Sequence, residues 1–556
     1  MGPVAVDEET AATYIYPKHP DYPERQYQSE MTETALNYNT LVSLPTGLGK
    51  THIAAVVMYN YYRWFAKGGG KIIFCAPTLP LVNQQLEACF RVVGIPGTDT
   101  AVMTGKMNAE KRKELWKTKR LFFCTPQTVQ RDLMTADNEI DHETSRAFSK
   151  VVCLVLDEAH KASGDYAYTR VVELLENAAH AKFRIVGLSA TPGATIKAIQ
   201  GVVEALRSVK IEARTDTDDT VAPYLHTKRT EIVIVERNNY QREIERLISN
   251  ILHPYLEKLR EDHLLQTYGN ATLTSYSIIK ALETYKKNNA NNLQGPLLAT
   301  FFAVQQLIGI RNDCHQSLGV VKMKLLRLRQ GPNRGILSKI VKSEEFETLV
   351  GKVIEATDGG GGGGIDPKLI KLSELLKLHF ERENACGNSS RAIVFAQFRD
   401  NVKEIVDCLK RMEPLVKSRY FVGQNKGSNN TKKSKKKHAT NDNNNNDNTT
   451  SAVPFLDERV AGMKQAEQHQ AIKDFVNNRF NVLVCTSIGE EGLDIGNVDL
   501  IINYDVIRSP IRMIQRAGRT GRKRDGRVVS LISEGQEEQT HKSRLSAERT
   551  LVNALK

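Results

Sequence analysis

The 556 residues, 40% hydrophobic and 25% charged, have ordinary globular composition and are too many for one core, so two or three domains are expected. Lys and Arg number 77 against 64 Asp and Glu, a net charge of +13 that points to a polyanion such as nucleic acid, although part of the excess sits in one lysine run. No basic-then-apolar leader and no apolar run of about eighteen residues is present, and the 8 cysteines stand singly without a CxxC pair. A membrane span, a zinc site and an iron–sulfur cluster are therefore set aside, and a soluble intracellular protein with reduced, buried core thiols is expected.

Along the chain, the first informative stretch is Tyr22-Pro23-Glu24-Arg25-Gln26-Tyr27-Gln28. The Gln28 amide offers a donor and an acceptor together to a base edge, with Arg25 beside it and Tyr22 available to stack. A polar helix start at the surface is the other reading. One short helix later comes Leu44-Pro45-Thr46-Gly47-Leu48-Gly49-Lys50-Thr51. Gly47 and Gly49 let backbone N–H groups turn toward a phosphate, Lys50 supplies a point charge for the terminal phosphates, and the Thr51 hydroxyl can ligate Mg²⁺. Leu44 stands where the strict phosphate-loop pattern has its first glycine, so a plain structural turn stays open from these residues alone.

Residues 53–65 are apolar at helical spacing, Gly68-Gly69-Gly70 breaks them, and 71–76 read as a buried strand, which opens a parallel α/β sheet. Further strand-like runs end at Pro77-Thr78, Thr125-Pro126-Gln127, Asp157-Glu158-Ala159-His160 and Ser189-Ala190-Thr191-Pro192. Polar groups thus recur at the carboxyl ends of strands, where open α/β sheets bind ligands. In the acidic pair, Asp157 suits Mg²⁺ held through water, and Glu158 suits orienting and deprotonating an attacking water. Two acids after a strand also describe a solvated turn; a phosphate loop upstream favours the catalytic reading.

The set Gly47-Leu48-Gly49-Lys50-Thr51, Asp157-Glu158-Ala159-His160 and Ser189-Ala190-Thr191 resembles the superfamily 2 helicases and translocases of the DEAH-box kind. With Tyr61-Tyr62-Arg63-Trp64-Phe65, Ala76-Pro77-Thr78, residues 115–120 and Thr125-Pro126-Gln127, it is similar to the Fanconi anaemia group M branch-point DNA translocases and their archaeal Hef helicase–nuclease relatives. The fold class implied is α/β, with two RecA-like parallel-sheet domains and an inserted helical domain between them. The expected division is a first motor domain over 1–213, a helical, DNA-gripping insert with a glycine tether over 214–364, and a second motor domain over 365–556.

Segments 240–265 and 297–328 have apolar residues at three-and-four spacing with interleaved Lys and Arg, and read as amphipathic helices of that insert; a helical spacer with a solvated basic face is the plainer alternative. Gly359 to Gly364 read as a flexible tether, and residues 423–453, with six residues from Lys432 to Lys437 that are all Lys but one and an Asn/Asp tract, as a disordered loop. The lysine run suits a nuclear import signal, an auxiliary phosphate contact or a merely solvated surface; a nuclear location is expected. Strands at 391–395, 482–486 and 500–504 lead to Gln397, to Thr486 through Asp494, and to Gln515-Arg516-Ala517-Gly518-Arg519-Thr520-Gly521-Arg522.

The resemblance carries roles onto these positions. Lys50, Asp157, Glu158, Gln515, Arg519 and Arg522 become catalytic, with Arg519 and Arg522 reaching the γ-phosphate from the second lobe. Arg25, Gln28, Pro45, Thr46, Gly47, Leu48, Gly49, Lys50, Thr51 and Asp494 hold ATP, Thr51 and Asp157 hold Mg²⁺, and His160, Ser189 and Thr191 couple hydrolysis to movement. Thr78, Thr104, Gly105, Thr125, Gln397 and Thr486 match positions that hold strand phosphates without regard to sequence. The implied function is ATP-dependent remodelling of branched DNA (forks, D-loops, Holliday junctions) in repair and fork maintenance, together with repair-protein partners. The sequence ends soon after residues 553–556, so the nuclease or nuclease-like module of longer relatives is expected to be missing. Two rival functions are a duplex-RNA-stimulated ATPase of the same superfamily and a non-catalytic DNA-binding scaffold.

Overall fold

Short runs of continuous apolar residues, too uniform to alternate, become strands buried on both faces of two parallel sheets in the computed structural model. The structure describes residues 6–18, 23–138, 142–179, 182–193, 195–265, 273–289, 294–315, 317–358, 366–423, 462–490, 495–507, 509–521 and 524–555. Tyr22, Asp494, Arg522, the glycine tract and the Lys/Asn-rich segment from 424 onward lie outside the described residues.

In chain order the strands are β1 Thr40–Ser43, β2 Lys71–Cys75, β3 Thr100–Met103, β4 Leu121–Cys124, β5 Val151–Asp157, β6 Arg184–Ser189, β7 Lys210–Ala213, β8 Lys228–Val235, β9 Ala392–Phe395, β10 Ser418–Phe421, β11 Val482–Cys485, β12 Leu500–Asn503 and β13 Gly526–Ser533. The first sheet runs β3-β4-β2-β5-β6-β1-β7, and the second runs β10-β11-β9-β12-β13-β8. Every pairing is parallel. Helices cross between consecutive strands, so the first sheet is packed on both faces, one around Ile53, Phe74 and Val155, the other around Trp116, Phe122 and Leu154. The expected α/β class with two parallel-sheet lobes is what the chain adopts.

Between the lobes, helices Asn239–Glu261, Ser275–Asn288, Gly295–Asp313, Leu318–Gln330, Gly335–Val341 and Glu344–Asp358 enclose a separate core around Ile248, Phe301, Leu307, Phe346 and Val350. Helix Asn239–Glu261 starts at a capping box, with the Asn238 side chain on the Gln241 N–H and the Gln241 side chain on the Asn238 N–H. One boundary needs correction: the segment read as helical from residue 214 contains β8, which pairs residue for residue with β13 from Lys228↔Gly526 to Val235↔Ser533 and so belongs to the second sheet. As an edge strand it leaves Arg229, Thr230, Ile232 and Ile234 exposed, and its apolar run, Ile232 to Val235, begins only after four polar residues. The chain therefore enters the second lobe once before building the helical module and again after it.

Six of the thiols are buried, in keeping with core cysteines, but Cys386 is exposed just past helix Pro367–Ala385 and Cys408 is half-buried. No helix among the described residues is long and apolar enough to cross a membrane.

Candidate active site and nucleic-acid face

The phosphate loop joins β1 to helix Lys50–Trp64. Gly47 and Gly49 have φ of 89° and 85°, the left-handed region that a side chain rarely tolerates. Leu44 needs no such freedom: it is fully buried and its N–H bonds to Ser189 O at 3.1 Å, so it simply prolongs β1 beside β6. Lys50 folds back on the loop, donating from Nζ to Leu44 O at 2.7 Å and to Pro45 O at 3.3 Å.

Behind the loop, Gln28 is buried and its Nε2 donates to Leu48 O at 2.9 Å, where the Tyr27 hydroxyl also donates at 2.9 Å. A Cβ on Gly49 would stand 2.2 Å from that Nε2, so glycine is required there by packing as well as by φ. Arg25 donates to Tyr27 Oη at 3.1 Å and lies 4.4 Å above the Tyr224 ring. The Tyr16 hydroxyl reaches Gln28 Oε1 at 3.5 Å and its ring sits 5.5 Å from that of His52. Sequence reasoning named neither Tyr16 nor Tyr224; the Tyr14-Ile15-Tyr16-Pro17 run was the available signal for the first.

At the carboxyl end of β5, Thr51 Oγ1 donates to Gln85 Oε1 at 2.7 Å, and Gln85 Nε2 donates to Asp157 Oδ2 at 2.8 Å. One buried amide thus spans the hydroxyl and the carboxylate assigned to Mg²⁺. Burial first, then the charge of Glu158, hold the Asp157 carboxyl well above the ordinary carboxylate range, against the pull of Lys50 and Gln85. A hydroxyl and a charge-strained carboxylate, hard oxygens brought to one place, fit a Mg²⁺ ion that takes its remaining ligands from water and phosphate. Gln85 is a functional neighbour that sequence reasoning missed, since it stands in the middle of helix Leu79–Val92, 72 residues from Asp157.

Glu158 has φ 52°, an uncommon backbone for a non-glycine residue, at the turn that ends β5. His160 Nδ1 lies 3.3 Å from Glu158 Oε2 and 3.3 Å from Ser189 Oγ. Ser189 Oγ donates in turn to Thr191 O at 2.8 Å and accepts from the Thr191 N–H at 3.2 Å. The adjacent ends of β5 and β6 therefore bring Glu158, His160, Ser189 and Thr191 to one place.

The second lobe meets this site through helix Pro510–Ala517, capped by Ser509. A Cβ on Gly518, just past it, would lie 2.6 Å from Thr46 Oγ1 of the phosphate loop, so the two lobes touch here. Gln515 is buried, and Arg519 donates from Nη2 to Glu490 O at 2.7 Å. Arg516 is buried between Glu490 Oε1 at 2.7 Å and Asn503 Oδ1 at 3.0 Å. Glu490 also takes Arg512, at 2.6 Å. Neither Glu490, Arg512 nor Arg516 has a role legible in the sequence, although Glu490 lies within the stretch from Thr486 to Asp494 and Arg516 within the arginine run.

The expected nucleic-acid contacts all sit at carboxyl ends of strands. Thr78 is exposed at the start of helix Leu79–Val92. Gly105 follows β3 and approaches Thr128, whose hydroxyl is 3.0 Å from that of Thr125, so Gly105 and Thr125 share one neighbour; Thr104 directly precedes them. In the second sheet the Gln397 N–H donates to Asp505 Oδ2 at 2.5 Å. Thr486 is buried, whereas Ser487 beside it is exposed. Gln397 and Ser487 line a cavity of about 610 Å³ between the second lobe and the helical module.

Residues 25–199 match the DEAD/DEAH box helicase model and residues 454–524 the helicase conserved C-terminal domain. The structure is similar to the Hef helicase domain of Pyrococcus furiosus, with a TM-score of 0.63 and 28% identity over 94% of this chain and 98% of that one. Among curated proteins it is 38% identical, over 98% of its length, to the Fanconi anemia group M protein homolog of Mus musculus, and 36% identical, over 98%, to the ATP-dependent DNA helicase fml1 of Schizosaccharomyces pombe. The chain belongs to the superfamily 2 helicases of the Fanconi anaemia group M and Hef family. It spans 26% of the mouse protein and 61% of the yeast one. The Hef match covers nearly the whole of both chains, so the likeness takes in the helical module as well as the lobes.

Proposed function

We propose that this chain is an ATP-dependent DNA translocase or helicase that remodels branched DNA in repair, working in the nucleus. The observation that carries the reading is the meeting of Gly518 with Thr46 of the phosphate loop, because a site divided between two lobes turns nucleotide chemistry into lobe movement. The similarity to proteins named Fanconi anemia group M homolog and ATP-dependent DNA helicase supports DNA as the substrate.

In this reading ATP enters between the lobes, and Lys50 exchanges its bonds to Leu44 O and Pro45 O for the β and γ phosphates. Gln28 and Arg25 hold the back of the loop and present amide and guanidinium groups to the base. Thr51, and Asp157 through water, would hold Mg²⁺, which would supply positive charge to offset that of the phosphates. Glu158 orients the attacking water and accepts its proton, and Arg519 and Arg522 stabilise the charge of the transferring phosphoryl group. His160, Ser189 and Thr191 pass the change at Glu158 to the neighbouring strand end. Thr78, Thr104, Gly105 and Thr125 on one lobe and Gln397 and Thr486 on the other alternate in holding one strand, so each closure and opening advances it. The domain division follows the same logic: motor lobes around the two sheets and a helical module that grips the duplex.

The deciding experiment compares ATP hydrolysis with forked DNA, linear duplex DNA and duplex RNA as activators. Stimulation strongest with forked DNA is expected; preference for RNA would make the chain a duplex-RNA-stimulated ATPase, and no hydrolysis with any of them would make it a binding scaffold.

A further inference from the structure

Glu490, 4% exposed and just past the helical turn Ser487–Gly489 that follows β11, gathers three guanidinium groups. Its Oε2 accepts from Arg512 Nε at 2.6 Å, its Oε1 accepts from Arg516 Nε at 2.8 Å and Nη2 at 2.7 Å, and its main-chain oxygen accepts from Arg519 Nη2 at 2.7 Å. One carboxylate facing this many cations leaves the cluster positive, so it attracts anions at whichever end opens to them. Arg516 cannot be that end: it is 2% exposed, tied to Asn503 and packed 4.5 Å over the Phe395 ring.

The other two arginines face different places. Arg512, whose side chain is 41% exposed, lines the cavity of about 610 Å³ between the second lobe and the helical module, together with Gln397, Ser487 and Lys324. The acids of that wall are already matched, Asp313 by Lys324 at 2.5 Å and Glu537 by Lys368 at 2.6 Å, so they do not oppose an incoming anion. Arg519 follows Gly518, which faces Thr46 of the phosphate loop.

We propose that Glu490 is a positioning residue that couples a nucleic-acid phosphate bound at Arg512 in this cavity to the placement of Arg519 at the nucleotide. A phosphodiester competes with the Glu490 carboxylate for the Arg512 guanidinium. Because the same residue holds Arg512 through its side chain and Arg519 through its main chain, displacement of one is felt by the other. The inference rests on the strand-tracking reading above and adds to it a phosphate site and the residue that connects it to hydrolysis.

The test uses the full chain, with forked DNA and duplex RNA each titrated as activator of ATP hydrolysis and a fluorescent ATP analogue for binding. Glu490→Gln is expected to lower stimulated kcat about tenfold while leaving analogue affinity within about twofold, the mark of an interaction made only in the transition state. Arg512→Ala is expected to raise the half-saturating nucleic acid about fivefold and lower stimulated kcat, with Arg512→Lys recovering the half-saturation but not kcat, because a lone ammonium offers a phosphate its charge without the planar fork. The double variant should lose no more kcat than Glu490→Gln alone. Additive losses, or an Arg512→Ala variant with unchanged half-saturation, would overturn the coupling, and the second result stands even where Glu490→Gln fails to fold. A preference for RNA overturns the DNA reading while the same variants judge the coupling on RNA; no stimulation by either overturns both.

Discussion

Gln85 shows how one uncharged side chain can govern a charged site. It joins Thr51 to Asp157 by two bonds of 2.7 and 2.8 Å and so fixes the spacing of the two groups that would share Mg²⁺. Removing such a bridging group from a metal ligand commonly costs about 10–100-fold in metal affinity. Gln85→Leu is therefore expected to raise the Mg²⁺ concentration needed for ATP-analogue binding by about tenfold, read by a fluorescence titration; an unchanged midpoint would remove Gln85 from the site. Glu158→Gln keeps the hydrogen-bonding shape but cannot take a proton. Its expected effect is a loss of about 10²–10⁴ in stimulated kcat with analogue binding retained, measured by steady-state hydrolysis beside equilibrium binding. At this scale the sequence supplied a list of residues, since glycine, lysine, threonine and the acid pair each carry a chemical reason for their place. It did not supply their neighbours: nothing local marks Gln85 as the partner of Asp157, or Glu490 as the holder of Arg512 and Arg516.

Helix Pro367–Ala385 illustrates what an element can store. Its N-cap, Asp366, is buried, and its Oδ1 accepts from the Lys368 N–H at 2.8 Å. Burial first, then the charges of Glu404 and Glu537, push its carboxyl up to about 8, against the pull of that N–H and of the Lys368 ammonium. A carboxyl whose pKa is raised on folding favours the folded state fully below its unfolded value near 4 and loses that contribution as pH rises through about 8. Asp366→Asn keeps the cap and removes the titration. It should therefore raise the melting temperature, relative to the parent, more at pH 8.5 than at pH 5, and equal shifts at both would count against a buried, protonated Asp366. The same helix was readable from its leucine spacing, whereas β8 was not, because its first half, Lys228 to Glu231, is polar and its apolar second half leads directly into the helical module.

Across the whole molecule the decisive contact is the approach of the lobes at Gly518. Its backbone is ordinary, φ −69°, so alanine would be accepted locally, yet the added Cβ would meet Thr46 Oγ1 at 2.6 Å and Thr46 Cβ at 2.9 Å. Gly518→Ala is expected to lower stimulated kcat about tenfold by wedging the lobes apart, with partial recovery when Thr46→Gly is added, an interaction of the size found between touching residues. A full-rate Gly518→Ala enzyme would show that this closure is not needed for turnover. Binding of forked DNA should also fall steeply with salt and change little with sequence, measured by fluorescence anisotropy over a salt series, as expected of a grip built on phosphates.

The sequence by itself determined the α/β class, because uninterrupted apolar runs followed by polar turns leave few alternatives to a parallel sheet, and it determined the family, because the phosphate loop, the Asp157-Glu158 turn and the arginine run recur together. Leu44 shows the limit of a pattern read without a fold: its departure from glycine raised a question that vanished once its N–H was found on Ser189 O, as part of a sheet. Tertiary structure alone decided that β8 joins the second sheet, that Thr46 meets Gly518, and that Glu490 sits among three arginines. Those pairings link residues up to hundreds of positions apart. Local propensity and periodicity act over a few turns of chain, whereas such contacts are set by how sheets twist and lobes pack.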